Sequence, residues 1–177
     1  IPPAVGTFRA FEAGAKAVNP SVTVLETFTG NWDDVAAAKE AAVAQLRRGA
    51  DILIHNVDAG SFGVFQAVRE ATTSQAPRYA MGMNRDQNDV APDVILGSAV
   101  IRIPEAFLTV ARKLVSGELP AEPFYVGEAQ DVIDFVPNPA LVNRIPADLL
   151  AWVGAARDSI RAGELQVPRV PFVEGEE

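Results

Sequence analysis

Apolar residues recur along this chain with two spacings, one typical of helices and the other of strands. Over residues 8–18 they return every three or four positions, which predicts an amphipathic helix. Residues 22–28, VTVLETF, alternate and are rich in β-branched side chains, so they predict a strand. Asp33 or Asp34 then stands where it can cap a second helix, which ends at Gly49.

The rest of the chain continues to alternate between the two patterns. The continuous apolar run at 51–57, DILIHNV, predicts a strand buried on both faces of a parallel sheet, and a helix follows at about 62–72. A helix is also predicted after Pro104 and another at 147–162. The proline-containing tail at 167–177 indicates extended, exposed chain. Further strands are predicted at 78–83, 94–101, 123–126 and 132–136.

Strands and helices that alternate roughly every 30 residues indicate repeated βαβ units. The fold class is therefore α/β, with a parallel sheet and helices on both of its faces. The chain opens on a helix with no strand before it, so we expect it to be the carboxy-terminal part of a longer protein or to pair with another segment. The helix after Pro104 has one apolar side, formed by Phe107, Leu108, Ala111, Leu114 and Val115.

Composition narrows the possible functions. The 177 residues carry a formal net charge of -8 and no dense basic cluster, so nucleic acid is a poor candidate partner. Cysteine is absent from the sequence, which excludes disulfides and thiolate sites, and the single histidine, His55, excludes a histidine-rich metal site. No apolar run of about 18 residues predicts a membrane span.

Ligands of open parallel sheets bind beyond the carboxyl ends of the strands. The segments that follow the predicted strands are rich in Asn, Asp, Ser, His and aromatic residues, a set that suits a neutral polar ligand with several hydroxyl or amide groups. These segments are 29–34, 55–62, 84–89 and 98–102.

Reactive chemistry fits these segments poorly. His55, Asp58 and Ser61 are the residue types of a hydrolase triad, but they lie on one turn and the G-x-S-x-G elbow is absent, so hydrogen-bonding or structural roles are favoured. The GSFG turn before the third helix lacks the lysine and the spacing of a phosphate-binding loop. No catalytic residue, metal or cofactor is therefore expected.

Two aromatic residues have two interpretations each. Trp32 follows a predicted strand end between polar residues, where it can either stack on a planar ring or pack against the next helix. Phe62 has the same two interpretations, and Trp152 is predicted to lie in the core. Asp86 and Asp89 either clamp ligand hydroxyls or belong to a solvated acidic loop.

Four stretches together resemble one known family. In order, they are FEAGAKAVNPSVTV, TGNWDDVAAAKEAAVAQLRRGADILI, AGSFGVFQAVRE and YAMGMNRDQNDVAPDVILGSAVIR. Their order and spacing are similar to those of the basic membrane protein (BMP) family of substrate-binding lipoproteins of ABC importers, which includes purine-nucleoside receptors. The resemblance runs from about residue 8 to residue 102, with a looser similarity at 138–168.

The resemblance implies a type I periplasmic-binding-protein fold whose two lobes close over a ligand. Members of the family carry an amino-terminal lobe of about a hundred residues, and it is missing from this sequence. By analogy, residues 1–96 form most of the second lobe without its first strand, and residues 97–177 cross the hinge and complete the first lobe.

The resemblance also directs attention to the loops at the strand ends. Relatives often have Gly-Ser-Phe-Asx-Asp in one loop, where this chain has Gly-Asn-Trp-Asp-Asp at 30–34. In another loop they commonly have Gly-Val-Asp-Ser-Asp-Gln, where this chain has Gly-Met-Asn-Arg-Asp-Gln at 82–87. At Arg102 the family's Lys-Arg-x-Asp pattern has lost both its Lys and its Asp. The ligand-binding residues predicted in this way are Asn31, Trp32, His55, Asn56, Asp58, Ser61, Phe62, Asn84 and Asp86.

The resulting hypothesis is the substrate-binding component of an ABC importer, with a nucleoside or purine as ligand. Its partners would be the transporter permease and the missing amino-terminal lobe, and its location would be periplasmic or lipid-anchored at the outer face of the bacterial plasma membrane. One alternative is a cytoplasmic ligand-sensing regulator of the same fold, and another is an α/β enzyme acting on a nucleoside or sugar.

Overall fold

The computed structural model describes residues 2–167, which form five α-helices and four β-strands. The helices are α1 (Pro2–Val18), α2 (Val35–Arg47), α3 (Ser61–Ala71), α4 (Ile103–Ser116) and α5 (Ala147–Arg161). The strands are β1 (Ile52–Ile54), β2 (Tyr79–Asn84), β3 (Ile95–Ile101) and β4 (Ile133–Pro137). All five predicted helices are confirmed, and the predicted tail at 168–177 lies outside the described residues.

The four strands form one mostly parallel sheet in the order β1-β2-β3-β4. Strands β1, β2 and β3 are parallel, and the register places Leu53 beside Ala80 and Ala80 beside Ile95. The predicted parallel sheet is confirmed for β1, β2 and β3, whereas β4 runs antiparallel to β3. An antiparallel edge strand on a mostly parallel sheet is common, and a segment as short as β4 does not reveal its direction from its apolar pattern alone.

The core lies between one face of the sheet and the pair α2 and α3. It includes Leu53, Ala80 and Ile95, which are neighbours across three strands, and Phe65 and Val68 of α3. On the opposite face, the β2 side chains at 79, 81 and 83 are only half-buried. The buried core therefore fixes one side of the sheet and the helix α3 that leads away from its carboxyl edge.

A glycine sets the distance between α2 and α3. A Cβ atom at Gly63 would lie 2.1 Å from the backbone oxygen of Val35 and 2.9 Å from the backbone nitrogen of Lys39. No larger residue fits there while the two helices keep this separation. The first turn of α2, and with it the loop that precedes α2, is thereby held against the first turn of α3.

Two predicted strands are absent from the described residues. Residues 22–28 and 123–126 form no ladder with another described segment. A strand requires a hydrogen-bonded neighbour, and none of the described strands runs beside either segment. The prediction for 51–57 is confirmed in position, but β1 is shorter and forms an edge of the sheet, with Ile52 43% exposed.

Helix α4 has the predicted apolar side, but nothing among the described residues covers it. None of its residues is buried, and Phe107, Leu114 and Val115 are 73%, 65% and 89% exposed. The prediction that Trp152 lies in the core is wrong, because this side chain on α5 is 52% exposed. No helix in residues 2–167 has the length and apolar character needed to cross a membrane.

Ion pairs tie the last helix to the sheet. Arg102, which follows β3, pairs with Asp134 of β4, and Nη1 of Arg157 on α5 lies 3.7 Å from Oδ1 of the same aspartate. Nε of Arg161 lies 3.1 Å from Oε1 of Glu128. Arg102 is thus engaged with β4 rather than free for other partners.

Candidate ligand-binding site

Three loops, one just before α2 and two at the carboxyl ends of β1 and β2, are joined by hydrogen bonds into one rim. The backbone N–H groups of Asp58 and Gly60 donate to the carbonyl oxygen of Trp32, at 2.9 and 3.1 Å. The side-chain amide of Asn84 donates to Oδ1 of Asn56 at 3.4 Å. We call 31–34 the first rim loop, 55–60 the second and 84–88 the third. Seven of the nine predicted site residues therefore lie in these loops, and Ser61 and Phe62 lie just beyond the second.

The first rim loop is a turn that presents Trp32. Oδ1 of Asn31 accepts the backbone N–H groups of Asp33 and Asp34, at 2.7 and 2.9 Å. Asp34 caps α2 by accepting the N–H of Ala37 at 2.9 Å, as predicted. The carboxamide oxygen of Asn31 is thus engaged within the loop, whereas the indole of Trp32 is 36% exposed.

In the second rim loop and at the start of α3, some side chains lie at the surface and others lie in the interior. Asp58 and Phe62 are exposed and Asn56 is half-buried, whereas His55 and Ser61 are 7% and 1% exposed. Asp58, Asn56 and Phe62 can therefore reach a ligand directly. His55 and Ser61 lie beneath the rim.

The first N–H groups of α3 are already satisfied. The backbone N–H groups of Ser61, Phe62 and Gly63 donate to the carbonyl oxygens of Asp58, Ala59 and Gly60. A phosphate bound at a helix start needs such groups to be free. The turn therefore leads into the helix and offers no open phosphate cradle.

The third rim loop begins at a residue with an unusual backbone. Asn84 has φ of 68°, a left-handed conformation that asparagine tolerates better than most residues. Oδ1 of Asp86 accepts the backbone N–H of Asn88 at 2.9 Å. Asn84 and Asp86 are both exposed, so each can reach a ligand.

Beneath the rim lies a buried amide, Gln87, that the list of predicted site residues omits. Its Oε1 accepts the N–H of Met83 and contacts Nε2 of His55, both at 2.9 Å. Its Nε2 donates to Oγ of Ser61 at 3.2 Å, and Ser61 in turn donates to the carbonyl of Asp58 at 2.7 Å. In the sequence, Gln87 lies within the strand-end segment 84–89 and is the last residue of the loop at 82–87 that was compared with the family's Gly-Val-Asp-Ser-Asp-Gln.

The buried network continues to the far edge of the sheet. The backbone N–H of Gln87 donates to Oγ of Ser98 at 3.0 Å, and Ser98 donates to Oδ1 of Asn88 at 3.2 Å. The amide of Asn88 donates to the carbonyl of Val136 on β4 at 3.2 Å. One connected set of polar groups thus runs under the rim from β1 to β4.

His55 is neutral in this setting. Burial lowers the pKa of its imidazole below the ordinary value, although the hydrogen bonds with Gln87 and Val57 and the charge of Asp58 act in the opposite direction. Nε2–H donates to Gln87, and Nδ1 accepts the N–H of Val57 at 3.4 Å. The neutral ring with its proton on Nε2 satisfies both contacts.

We expect the stability of the chain to fall as the pH drops below about 6.5, the pKa of an unperturbed histidine. The pKa of His55 is lower in the folded chain than in the unfolded chain. Just below pH 6.5 the unfolded chain therefore binds a proton at this imidazole, whereas the folded chain does not, and unfolding is favoured. The contribution is complete above about pH 6.5 and is lost as the pH approaches the folded pKa. Because the sequence has one histidine, an NMR titration of a single imidazole measures this pKa directly.

Urea unfolding of the unaltered chain and of His55→Gln provides the thermodynamic check. The loss of stability between about pH 7 and pH 5.5 should be smaller in the variant, which has no imidazole to protonate. An imidazole pKa at or above 6.5 would contradict the buried, neutral ring.

The three residue types of a hydrolase triad are close in space but are not arranged as one. Nε2 of His55 bonds to Gln87, and the hydroxyl of Ser61 donates to a main-chain carbonyl. Both side chains meet at Gln87 instead of at each other. Among the described residues, no three His, Asp or Glu side chains form a group that could hold a metal ion.

Two surface depressions of about 490 and 470 Å³ lie away from the rim. The first lies between α4 and residues 130–131, and the second surrounds residues 142–147.

Comparison with known proteins places the chain among ligand-binding proteins of transporters. Residues 4–155 match the model of the family described as Bmp, ABC transporter substrate-binding protein PnrA-like. Basic membrane protein A2 of Borrelia garinii subsp. bavariensis is 27% identical over 171 residues, which cover 93% of this chain and 48% of that relative. The chain thus spans about half the length of this relative.

Two further proteins resemble the chain. A solute-binding protein of an ABC transporter system from Conexibacter woesei has the same fold, with a TM-score of 0.73 and 24% identity over 96% of this chain and 54% of that one. The transcriptional activator protein med of Bacillus subtilis is 28% identical over 109 residues, which are 62% of this chain and 33% of that protein.

Proposed function

The chain belongs to the family of PnrA-like ABC transporter substrate-binding proteins, and on that premise we propose that it forms the larger part of the ligand-contacting surface in the substrate-binding component of an ABC importer. The observation that carries the proposal is the rim of three hydrogen-bonded loops at the carboxyl edge of the sheet. This edge is where open parallel sheets bind their ligands.

The ligand we propose is a nucleoside or a purine base. Trp32 and Phe62 are exposed aromatic rings on the rim, and a flat heteroaromatic ring gains stacking energy on such a surface. The exposed side chains of Asn84, Asp58 and Asp86 supply hydrogen-bond donors and acceptors for base edges and ribose hydroxyls. The backbone N–H groups at the start of α3 already have acceptors and cannot bind a phosphate. This favours an uncharged nucleoside over a nucleotide.

The remaining half of the full-length protein, as we propose it, packs against α4 and closes over the rim. The division follows the resemblance, with residues 1–96 in one lobe and the chain from 97 onward completing the other. An apolar stripe with Val115 at 89% and Phe107 at 73% exposure is costly to leave in water. The relatives are about twice as long as the stretch that this chain matches. We propose that the corresponding other half of the full-length protein covers the apolar side of α4.

The partner of the whole protein would be the permease of the importer, and its place would be outside the cytoplasm, periplasmic or lipid-anchored. Support comes from the family description, which names ABC transporter substrate-binding proteins. Closure of two lobes on a ligand would supply the signal that the permease reads.

The test is a thermal-shift experiment on the full-length gene product with a panel of nucleosides and bases. A ligand that binds only the folded state raises the melting temperature, with a stabilisation of about 2.7 kcal/mol at a hundred-fold excess over Kd. We expect a rise with at least one nucleoside and none with its 5′-monophosphate. The absence of a shift across the panel would overturn the nucleoside proposal and leave the fold untouched.

A second candidate is a ligand-sensing regulator inside the cell. It is favoured by one observation, the similarity to the transcriptional activator protein med. The rim would bind the ligand in the same way, and the remaining half would carry the output contacts. Fractionation of cells that express the full-length protein separates the two: recovery in the cytoplasm supports the regulator, and recovery outside it supports the importer component.

A further inference from the structure

We propose that Gln87 is a positioning residue of the candidate site, whose buried carboxamide holds the second and third rim loops in one arrangement. This inference rests on the proposed ligand-binding function, because it assigns Gln87 a role in shaping that same rim. Gln87 is 4% exposed, so it acts from beneath the surface through the residues it contacts.

The carboxamide joins three different elements. Its oxygen bonds to the N–H of Met83 on β2 and to the imidazole of His55 at the end of β1. Its nitrogen bonds to Ser61, the first residue of α3.

Two of the three contacts of Gln87 lead to exposed rim residues. Met83 precedes Asn84, and the carbonyl of Met83 accepts the N–H of Arg85 at 2.8 Å, so the backbone on both sides of the left-handed Asn84 is fixed. The hydroxyl of Ser61, which accepts from Gln87, donates in turn to the carbonyl oxygen of Asp58. The groups positioned in this way are the ones that can meet a ligand.

The orientation of the carboxamide is fixed by its partners. Met83 N–H can only donate, and the neutral imidazole of His55 donates from Nε2 because Nδ1 accepts from Val57. Both donors require the oxygen of Gln87 on their side, which leaves its NH2 group facing Ser61. A rotated amide would place donors against donors in a buried site, at the cost of unsatisfied polar groups.

The experiment compares Gln87→Met with Asn138→Leu in the full-length protein. Methionine has a similar length to glutamine and cannot form the three bonds. Asn138 is a matched control, because it is 2% exposed and its carboxamide also forms three hydrogen bonds, to Pro92, Ile95 and Ala140. Hydrogen exchange at the amides of Asp58 and Gly60, relative to core amides of α3, and affinity for the nucleoside of the thermal-shift panel are measured in both variants.

We expect Gln87→Met to speed exchange at Asp58 and Gly60, which do not bond to Gln87 themselves, and to weaken ligand binding by about ten-fold. Asn138→Leu is expected to lower global stability without either effect. Equal exchange at these two amides in both variants would overturn the proposal. If the unaltered protein binds no nucleoside, the nucleoside proposal is wrong, and the exchange comparison still decides the role of Gln87.

Gln87→Glu provides a second variant in case Gln87→Met does not fold. The carboxylate can still accept from Met83 and His55 but cannot donate to Ser61. A negative charge beside the imidazole raises the pKa of His55, so binding should become dependent on pH between about 6 and 8, whereas we expect no such dependence for the unaltered protein. Binding that stays independent of pH, with unchanged exchange at Asp58, would contradict the positioning role.

Discussion

Gly63→Ala is expected to lower the free energy of unfolding by about 3 kcal/mol, at the upper end of the usual cost of overpacking. The added methyl group would lie 2.1 Å from the oxygen of Val35 and 2.9 Å from the nitrogen of Lys39. Both are backbone atoms, so no side-chain rotation relieves the clash and α2 must move away from α3. Urea unfolding followed by circular dichroism measures the loss.

Gly154→Ala is the matched control for this substitution. Gly154 also lies within a helix, α5, and a Cβ atom placed on it has nothing within 4 Å. Because alanine favours helix more than glycine does, this variant should gain up to about 1 kcal/mol. If Gly63→Ala proved as stable as Gly154→Ala, the two helices would not be in the close contact described.

Trp32→Ala is expected to weaken nucleoside binding by about 1–3 kcal/mol, which is roughly 5- to 150-fold in Kd. The indole is the largest exposed ring on the rim, and its loss removes the stacking surface. The substitution leaves the loop intact, because Asp58 and Gly60 donate to the backbone carbonyl at position 32, which alanine retains. Titration calorimetry on the full-length protein measures the affinity.

The second tryptophan serves as the control. Trp152 is 52% exposed on α5. Within residues 2–167, no hydrogen bond or ring contact joins its indole to the rim loops. Trp152→Ala should therefore leave the affinity unchanged, and Trp32→Phe should retain part of it because a smaller ring still stacks. An unchanged affinity in Trp32→Ala would mean that the indole packs against its own protein and does not touch the ligand.

Local chemistry in the sequence was sufficient to predict the helices. The side chain of Asp34 starts α2, and Gly117 with φ of 73° ends α4. These signals act within a few residues, so no knowledge of the fold is needed to read them. The strands were harder, because 22–28 has the alternation of a strand and lacks a neighbour among the described residues.

The candidate site was predicted to the level of loops and not to the level of individual roles. The strand-end rule located the second and third rim loops, which follow β1 and β2. The first was located only because it follows the alternating segment 22–28, which forms no strand in the described structure. It could not show that the side chain of His55 turns inward, nor that Gln87 meets His55 and Ser61 from 32 and 26 positions away. Contacts at such separations are a property of the packed sheet, and they leave no periodic trace in the sequence.

The hydrogen bonds between the rim loops make ligand preference a property of the segment 31–88 as a unit. Trp32 in the first loop accepts from the second, and Asn84 in the third donates to the second. A loop transplanted from a relative with another specificity would have to form these bonds again with its neighbouring loop. Recombination or engineering should therefore exchange specificity between members of the family by grafting this whole segment, together with its buried glutamine.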